Sequence, residues 1–166
     1  MKIIGFAKID GETKMVLKSD SSLLVNRKPF FIPDWSKDIR MTPCWVLRVS
    51  RLGKHISTRF ASRYYDKVAP ALNICAADYL EKGDMVRAWA FDYSLPMGVF
   101  ADAGNVVDRD TIISFDEAIS IASQVMTIRQ GDLVFVECSI PARTLEKEEV
   151  ITATIGDQEL LYCKVK

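Results

Sequence analysis

The stretch 40–54, RMTPCWVLRVSRLGK, constrains the fold more than any other part of the chain. It starts at Pro43 and stops at Gly53, and between them Trp45, Leu47 and Val49 alternate with Cys44, Val46, Arg48 and Ser50. Period-two alternation marks a half-buried β-strand, because successive side chains point to opposite faces of a sheet. The entrance end is apolar on both faces and the exit end is charged. Such a strand begins inside the protein and runs out to water, which places Thr42 and Cys44 at the interior end.

Around this strand the chain reads mainly as further strands. Segments 2–9 and 13–17 flank Asp10-Gly11, a dipeptide that takes the positive φ angles of a tight hairpin. Segments 23–25 and 30–32 flank a turn at Asn26-Arg27-Lys28-Pro29, and Pro33 ends pairing there. Ser57 is placed to cap a short helix reaching Asp66, with Phe60, Ala61 and Tyr64 on its inner side. Segment 68–76 reads as a buried strand on which Asn73 and Cys75, two apart, share a face. Between Glu81 and Asn105, glycines and Pro96 interrupt the pattern, which predicts loops and short strands with Trp89, Phe91, Val99 and Phe100 buried. Ser114-Phe115-Asp116-Glu117 is a capping box opening a helix to about Thr127, with Phe115, Ile119, Ala122 and Met126 as its buried stripe. An apolar strand over 133–138 follows, and segments 150–155 and 159–165 close a hairpin at Gly156-Asp157. Isolated helices among many strands predict an α+β, mainly antiparallel roll or sandwich rather than a doubly wound parallel sheet.

A chain of 166 residues reads as a single domain spanning 1–166, long enough to fold without a metal or disulfide staple. Its 22 basic and 22 acidic residues cancel, and no basic face is interleaved with aromatics, so nucleic acid is not an expected partner. The apolar run Ile3 to Ala7 is closed by Lys8 and Asp10, too short for a signal core or a membrane span. The four cysteines are far apart without a CxxC spacing, so reduced thiols and a cytoplasmic location are expected.

Chemical motifs are scarce. His55 is the sole histidine and follows Gly53-Lys54 in an expected surface turn, so no Ser-His-Asp or Cys-His triad assembles without it. Ser94 and Ser139 lack a nucleophile-elbow setting, and no glycine-rich phosphate loop is present. Glu146, Glu148 and Glu149 read as a solvated face, as do Asp108 and Asp110.

Several stretches, taken in order, resemble the fumarylacetoacetate hydrolase family in its catalytic, C-terminal-domain form. They are Pro29-Phe30-Phe31-Ile32-Pro33, the segment 46–56 with its Arg51-Leu52-Gly53-Lys54 turn, Arg59-Phe60-Ala61 with Arg63-Tyr64-Tyr65-Asp66, Ser114-Phe115-Asp116-Glu117, and Gly131-Asp132-Leu133-Val134-Phe135. The resemblance implies a mixed β-sandwich roll with few short helices, usually dimeric. Its members bind Mg²⁺ or a similar hard cation through three carboxylates and cleave or isomerise β-keto or enol acids. The family's Glu-x-Glu metal pair falls here on Thr42 and Cys44, and its aspartate ligand on Asn73. Cys75 and Ala77 stand where a hydroxyl residue and a substrate-facing arginine are implied, Trp89 where a lysine is implied, and Glu137-Cys138 within a substrate loop. Threonine, thiol and amide carry no negative charge to compensate a hard cation, so no cofactor is expected.

The resemblance therefore implies a pseudoenzyme, a non-catalytic homologue whose former site is plugged by space-filling residues. It would act in binding, structure or regulation, as a homodimer or in a hetero-oligomer with an active relative. Two alternatives stand beside this reading. One is a divergent hydrolase, isomerase or decarboxylase acting through Glu137 and Asp78; the other is a soft-metal or thiol site built from Cys44, Cys75 and Cys138.

Overall fold

The computed structural model describes Met1 to Lys166. Eleven strands and three α-helices follow one another along the chain. The long strands β4 (Ile39–Val49) and β5 (Tyr65–Ala76) pair antiparallel in the middle of a seven-stranded sheet. On one side β4 takes β8 (Leu133–Glu137), which runs parallel to β1 (Ile3–Ile9), and β2 (Glu12–Lys18) forms the edge. Beyond β5 lies β7 (Ala101–Asp102), and β9 (Arg143–Thr144) pairs with the start of β4. The sheet is thus mixed, in a fold of mostly strands with few helices, as expected.

Both faces of the sheet are covered, which is why β8 is buried along its whole length. Helix α3 (Phe115–Val125) lays Phe115, Ile119 and Ala122 against Ile4, Leu47, Val49 and Val134. Its capping box forms: Ser114 accepts from Glu117 N, and Glu117 returns to the Ser114 amide at 3.0 Å. The hairpin β10 (Val150–Ile155) and β11 (Gln158–Lys164) covers Met41, Leu72 and Ile74 with Leu161, Cys163 and Val165. On the opposite face lie Cys44, Val46, Ala71 and Cys75, packed with Ala88 and Trp89 of α2 (Met85–Trp89) and with Leu95. The Asp10-Gly11 hairpin is present with φ of 52° and 78°. Gly5 on β1 is required by close approach, since a Cβ there would lie 1.9 Å from the Phe135 ring.

Local expectations failed where tertiary contacts supplied the partner. Leu23–Leu24 (β3) pairs in parallel with Leu95–Pro96 (β6), and Phe30 bridges to Val165, so the two segments around the Asn26 turn do not pair with each other. The helix after Ser57 is a 3₁₀ turn, Thr58–Arg63, without a side-chain cap; Phe60 faces outward and Tyr65 already belongs to β5. The short helix α2 occupies ground read as loop, α1 (Ala77–Glu81) fills the stretch before it for which the pattern predicted no element, and Val99 is exposed rather than buried. Met126 lies just past the end of α3 and is half-buried. No helix is long and apolar enough to cross a membrane.

Candidate functional site

The β4/β5 register sets Thr42 opposite Asn73 and Arg40 opposite Cys75. Cys44, two residues on from Thr42, faces Glu137 on β8. All of these side chains therefore leave the same face of the sheet. Above them lies a cleft of about 580 Å³ whose wall includes Thr42, Asn73, Cys75, Ala77, Trp89 and Glu137. Lys8, Lys14 and Arg40 add cations to it, and Asp10 and Glu81 add acids. The site is open, which corrects the expectation that large residues plug it: Trp89 forms wall rather than filling.

A second cavity of about 410 Å³ shares Lys8, Thr42, Glu137 and Ala142 with the first and continues along residues 138–141 and Ile112. Glu137 thus stands between two lobes of one cleft. It is only 3% exposed, and its carboxylate is held by two donors. The Lys8 amide donates to Oε2 at 2.7 Å and Asn73 Nδ2 donates to Oε1 at 2.7 Å. Burial pushes the Glu137 carboxyl above its ordinary value, and these bonds, with nearby Lys18, oppose the shift without reversing it. Asn73 is 1% exposed, and its amide orientation is fixed because Nδ2 serves Glu137, which leaves Oδ1 without a partner. The indole Nε1 of Trp89 is likewise buried and unpartnered.

The other sequence-derived candidates separate. Asp78 does not line the cleft; it accepts from Ser36 Oγ at 2.6 Å, and that bond holds its carboxyl below the usual range. It is therefore removed from the catalytic candidates, because α1 begins at Ala77 and turns it away from the sheet face. Cys44 is buried in the core behind the cleft, Cys75 lines the first lobe and Cys138 the second. No group of three or more His, Cys, Asp or Glu side chains is arranged to hold a metal ion, so the three-thiol metal site is overturned. Burial also pushes all three thiols up, Cys75 to about 12, which makes them poor nucleophiles. Thr42, Asn73 and Glu137 do not fit Mg²⁺ either: Thr42 and Asn73 offer only uncharged oxygens beside the one carboxylate of the set, which leaves a hard cation short of compensating charge.

Sequence reasoning missed Lys18. It follows Val16 at two-residue spacing and so points inward with it, a signal visible in the alternation of β2. Its Nζ donates to Ile74 O, Trp89 O and Ser94 Oγ, each at 2.9 Å, and lies 5.6 Å from the Trp89 ring centroid. Burial brings its pKa down to about 7. A lysine is implied by resemblance where Trp89 stands; here a lysine from another strand anchors that tryptophan from behind.

A mixed sheet with its cleft over the start of β4 and the end of β5 is the architecture of the fumarylacetoacetate hydrolase fold. No family profile matches the sequence, and no curated protein matches it. Solved structures do. Fumarylpyruvate hydrolase from Pseudomonas aeruginosa, in complex with Mn²⁺ and pyruvate, superimposes with a TM-score of 0.82 at 20% identity over 99% of this chain and 88% of that one. The 2-hydroxyhepta-2,4-diene-1,7-dioate isomerase from Mycobacterium marinum gives 0.81 at 17% identity, over 99% and 73%. The 5-carboxymethyl-2-hydroxymuconate delta-isomerase from Mycobacterium smegmatis gives 0.78 at 14%, over 99% and 78%. The chain shares the fold of these hydrolases and isomerases, and its chemistry has to be argued from its own residues.

Proposed function

We propose that this protein is a non-catalytic relative of the fumarylacetoacetate hydrolase-type enzymes, binding a small polar molecule in its cleft without a divalent cation. One observation carries the reading: Asn73, at a position where the resemblance implies a metal-binding acid, donates a hydrogen bond to Glu137, and Thr42, at another such position, stands uncharged opposite Asn73. A hard cation at that place would meet an uncharged amide oxygen, an uncharged hydroxyl and, next to them, the single carboxylate of Glu137. Without it a keto-enol substrate loses its polarising centre. The unpartnered Asn73 Oδ1 and Trp89 Nε1 in the wall supply an acceptor and a donor for a neutral polar ligand. A cytoplasmic homodimer, or a complex with an active relative, belongs to the same proposal.

The test is incubation with acylpyruvates and oxaloacetate, with and without Mg²⁺ or Mn²⁺, alongside metal titration by calorimetry. The expected result is turnover no faster than buffer and no saturable metal binding. Mg²⁺-dependent turnover abolished by Glu137→Ala would overturn the proposal. A second reading, a divergent hydrolase or isomerase, is favoured by the raised carboxyl of Glu137 on the wall of an open cleft, a setting suited to a general base. It predicts metal-independent turnover that rises with pH as Glu137 ionises and is lost in Glu137→Gln.

A further inference from the structure

Away from the cleft, the segment around Phe31 to Trp35 meets the turn that follows α2. Phe31, Pro33, Trp35, Phe91, Asp92 and Tyr93 line a separate cavity of about 410 Å³. None of the six lines either lobe around Glu137. The rings are set as walls: Trp35 and Phe91 stand 5.3 Å apart at 84°. Trp35 is braced from another side by Tyr79, at 5.5 Å and 67°, whose hydroxyl donates to the Trp35 carbonyl at 3.3 Å. That bracing keeps Trp35 from collapsing into the box. Phe31 and Tyr93 are 64% and 55% exposed. Tyr93 sits at φ 62°, a region a bulky residue rarely adopts, and its amide donates to Ser21 O at 3.0 Å.

Charge decides what such a box accepts. Asp92 is the one charged side chain in its lining, and its Oδ1 takes a neutral donor, Ser21 Oγ, at 2.6 Å. The chain already places cations against these rings: Lys166 Nζ lies 6.0 Å from the Phe31 centroid, and Lys18 Nζ lies 5.8 Å from that of Phe91. Lys18 is committed to its three acceptors inside the fold, whereas Lys166 has none of those bonds. Ring faces carry negative quadrupole charge, so they attract cations and repel carboxylates and phosphates. Hydrated ammonium resists leaving water, but an alkylated ammonium spreads its charge over methyl groups that the rings also bury. We infer that this aromatic box binds a small molecule bearing an alkylammonium head, with Asp92 as its counter-charge.

The experiment uses the full chain and choline, compared with its neutral isostere 3,3-dimethyl-1-butanol, followed by calorimetry and by the NMR shift of the Trp35 indole N–H. Choline should bind and move that resonance, with the isostere about tenfold weaker, as loss of a cation–π contact and its counter-charge requires. Asp92→Asn should weaken choline about fivefold without weakening the isostere, and Lys166→Ala should tighten it by removing a competing cation. Trp35→Ala should abolish binding while the fold, read by circular dichroism, is kept. Equal affinity for choline and isostere would overturn the inference by showing an ordinary apolar pocket. So would a choline-insensitive Trp35 whose replacement dissociates a dimer, since the box would then be an interface between copies. Binding of a trimethyl-lysine peptide without binding of choline would overturn the small-molecule source.

Discussion

Replacing Asn73 by aspartate tests whether the centre of the cleft is organised around one carboxylate. The change exchanges the Nδ2 donor, 2.7 Å from Glu137 Oε1, for a second acidic oxygen at nearly the same place. Two unit charges about 4 Å apart repel by about 4 kcal/mol at an effective dielectric constant of 20. The protein can avoid this by keeping one proton on the pair. Protonating an acid with an ordinary pKa near 4.3 at pH 7 costs about 3.5 kcal/mol, at roughly 1.4 kcal/mol per pH unit. Both routes give a destabilisation of about 3–4 kcal/mol at pH 7, and the second falls to about 1 kcal/mol at pH 5. The sign follows from the raised carboxyl: the folded variant holds a proton that the unfolded chain releases, so stability is present at low pH and is lost as pH rises. Urea unfolding of wild type and Asn73→Asp at pH 5, 6, 7 and 8, read by tryptophan fluorescence, measures it. A deficit that is absent, or that does not grow with pH, refutes the carboxylate-centred cleft. Mn²⁺ should recover part of the loss in the variant and leave the wild type unchanged.

The buried Lys18, with its pKa brought down to about 7, makes a complementary prediction. Above that pH the unfolded chain holds a proton that the folded chain has released, so Lys18 makes stability rise with pH from about 7 to 9. Above 9 the raised thiols of Cys44, Cys75 and Cys163 oppose that rise. Lys18→Met should remove the rise, and it should loosen Trp89 because the carbonyls of Ile74 and Trp89 lose their donor; denaturation midpoints at pH 7, 8 and 9 report the first effect. Gly5→Ala should destabilise by about 2 kcal/mol or more, since its Cβ collides with the Phe135 ring buried on both sides, and chemical denaturation measures this. In the native protein Cys44 and Cys75 should react with a disulfide reagent orders of magnitude more slowly than after unfolding, because burial disfavours the thiolate; a fast native-state reaction of either would contradict their placement.

Much of the fold was legible because its signals are local. The alternation of β4, the Asp10-Gly11 hairpin and the Ser114 capping box each act within a few residues, and each formed as read. Leu23–Leu24 and Phe30 were legible as extended but not in their pairing, because their partners Leu95–Pro96 and Val165 lie far along the chain. α1 and α2 escaped notice because each is about one turn long and too short to show a periodicity. Of the candidate site, the shared face of Asn73 and Cys75 followed from spacing, and the placing of Thr42 and Asn73 on one cleft followed from the resemblance.

Sequence alone decided which groups this protein has to work with: a threonine, an amide and thiols along two long strands, and one histidine. Identity and spacing along one strand are enough for that. Tertiary structure decided where they face and whether they meet. It opened a cleft where filling was expected, turned Asp78 outward, kept the thiols from forming a metal-binding group and aimed Asn73 at Glu137. These outcomes depend on cross-strand register and on how the helices that follow β5 cover the sheet. Both are set by contacts between residues tens of positions apart, which local pattern does not encode.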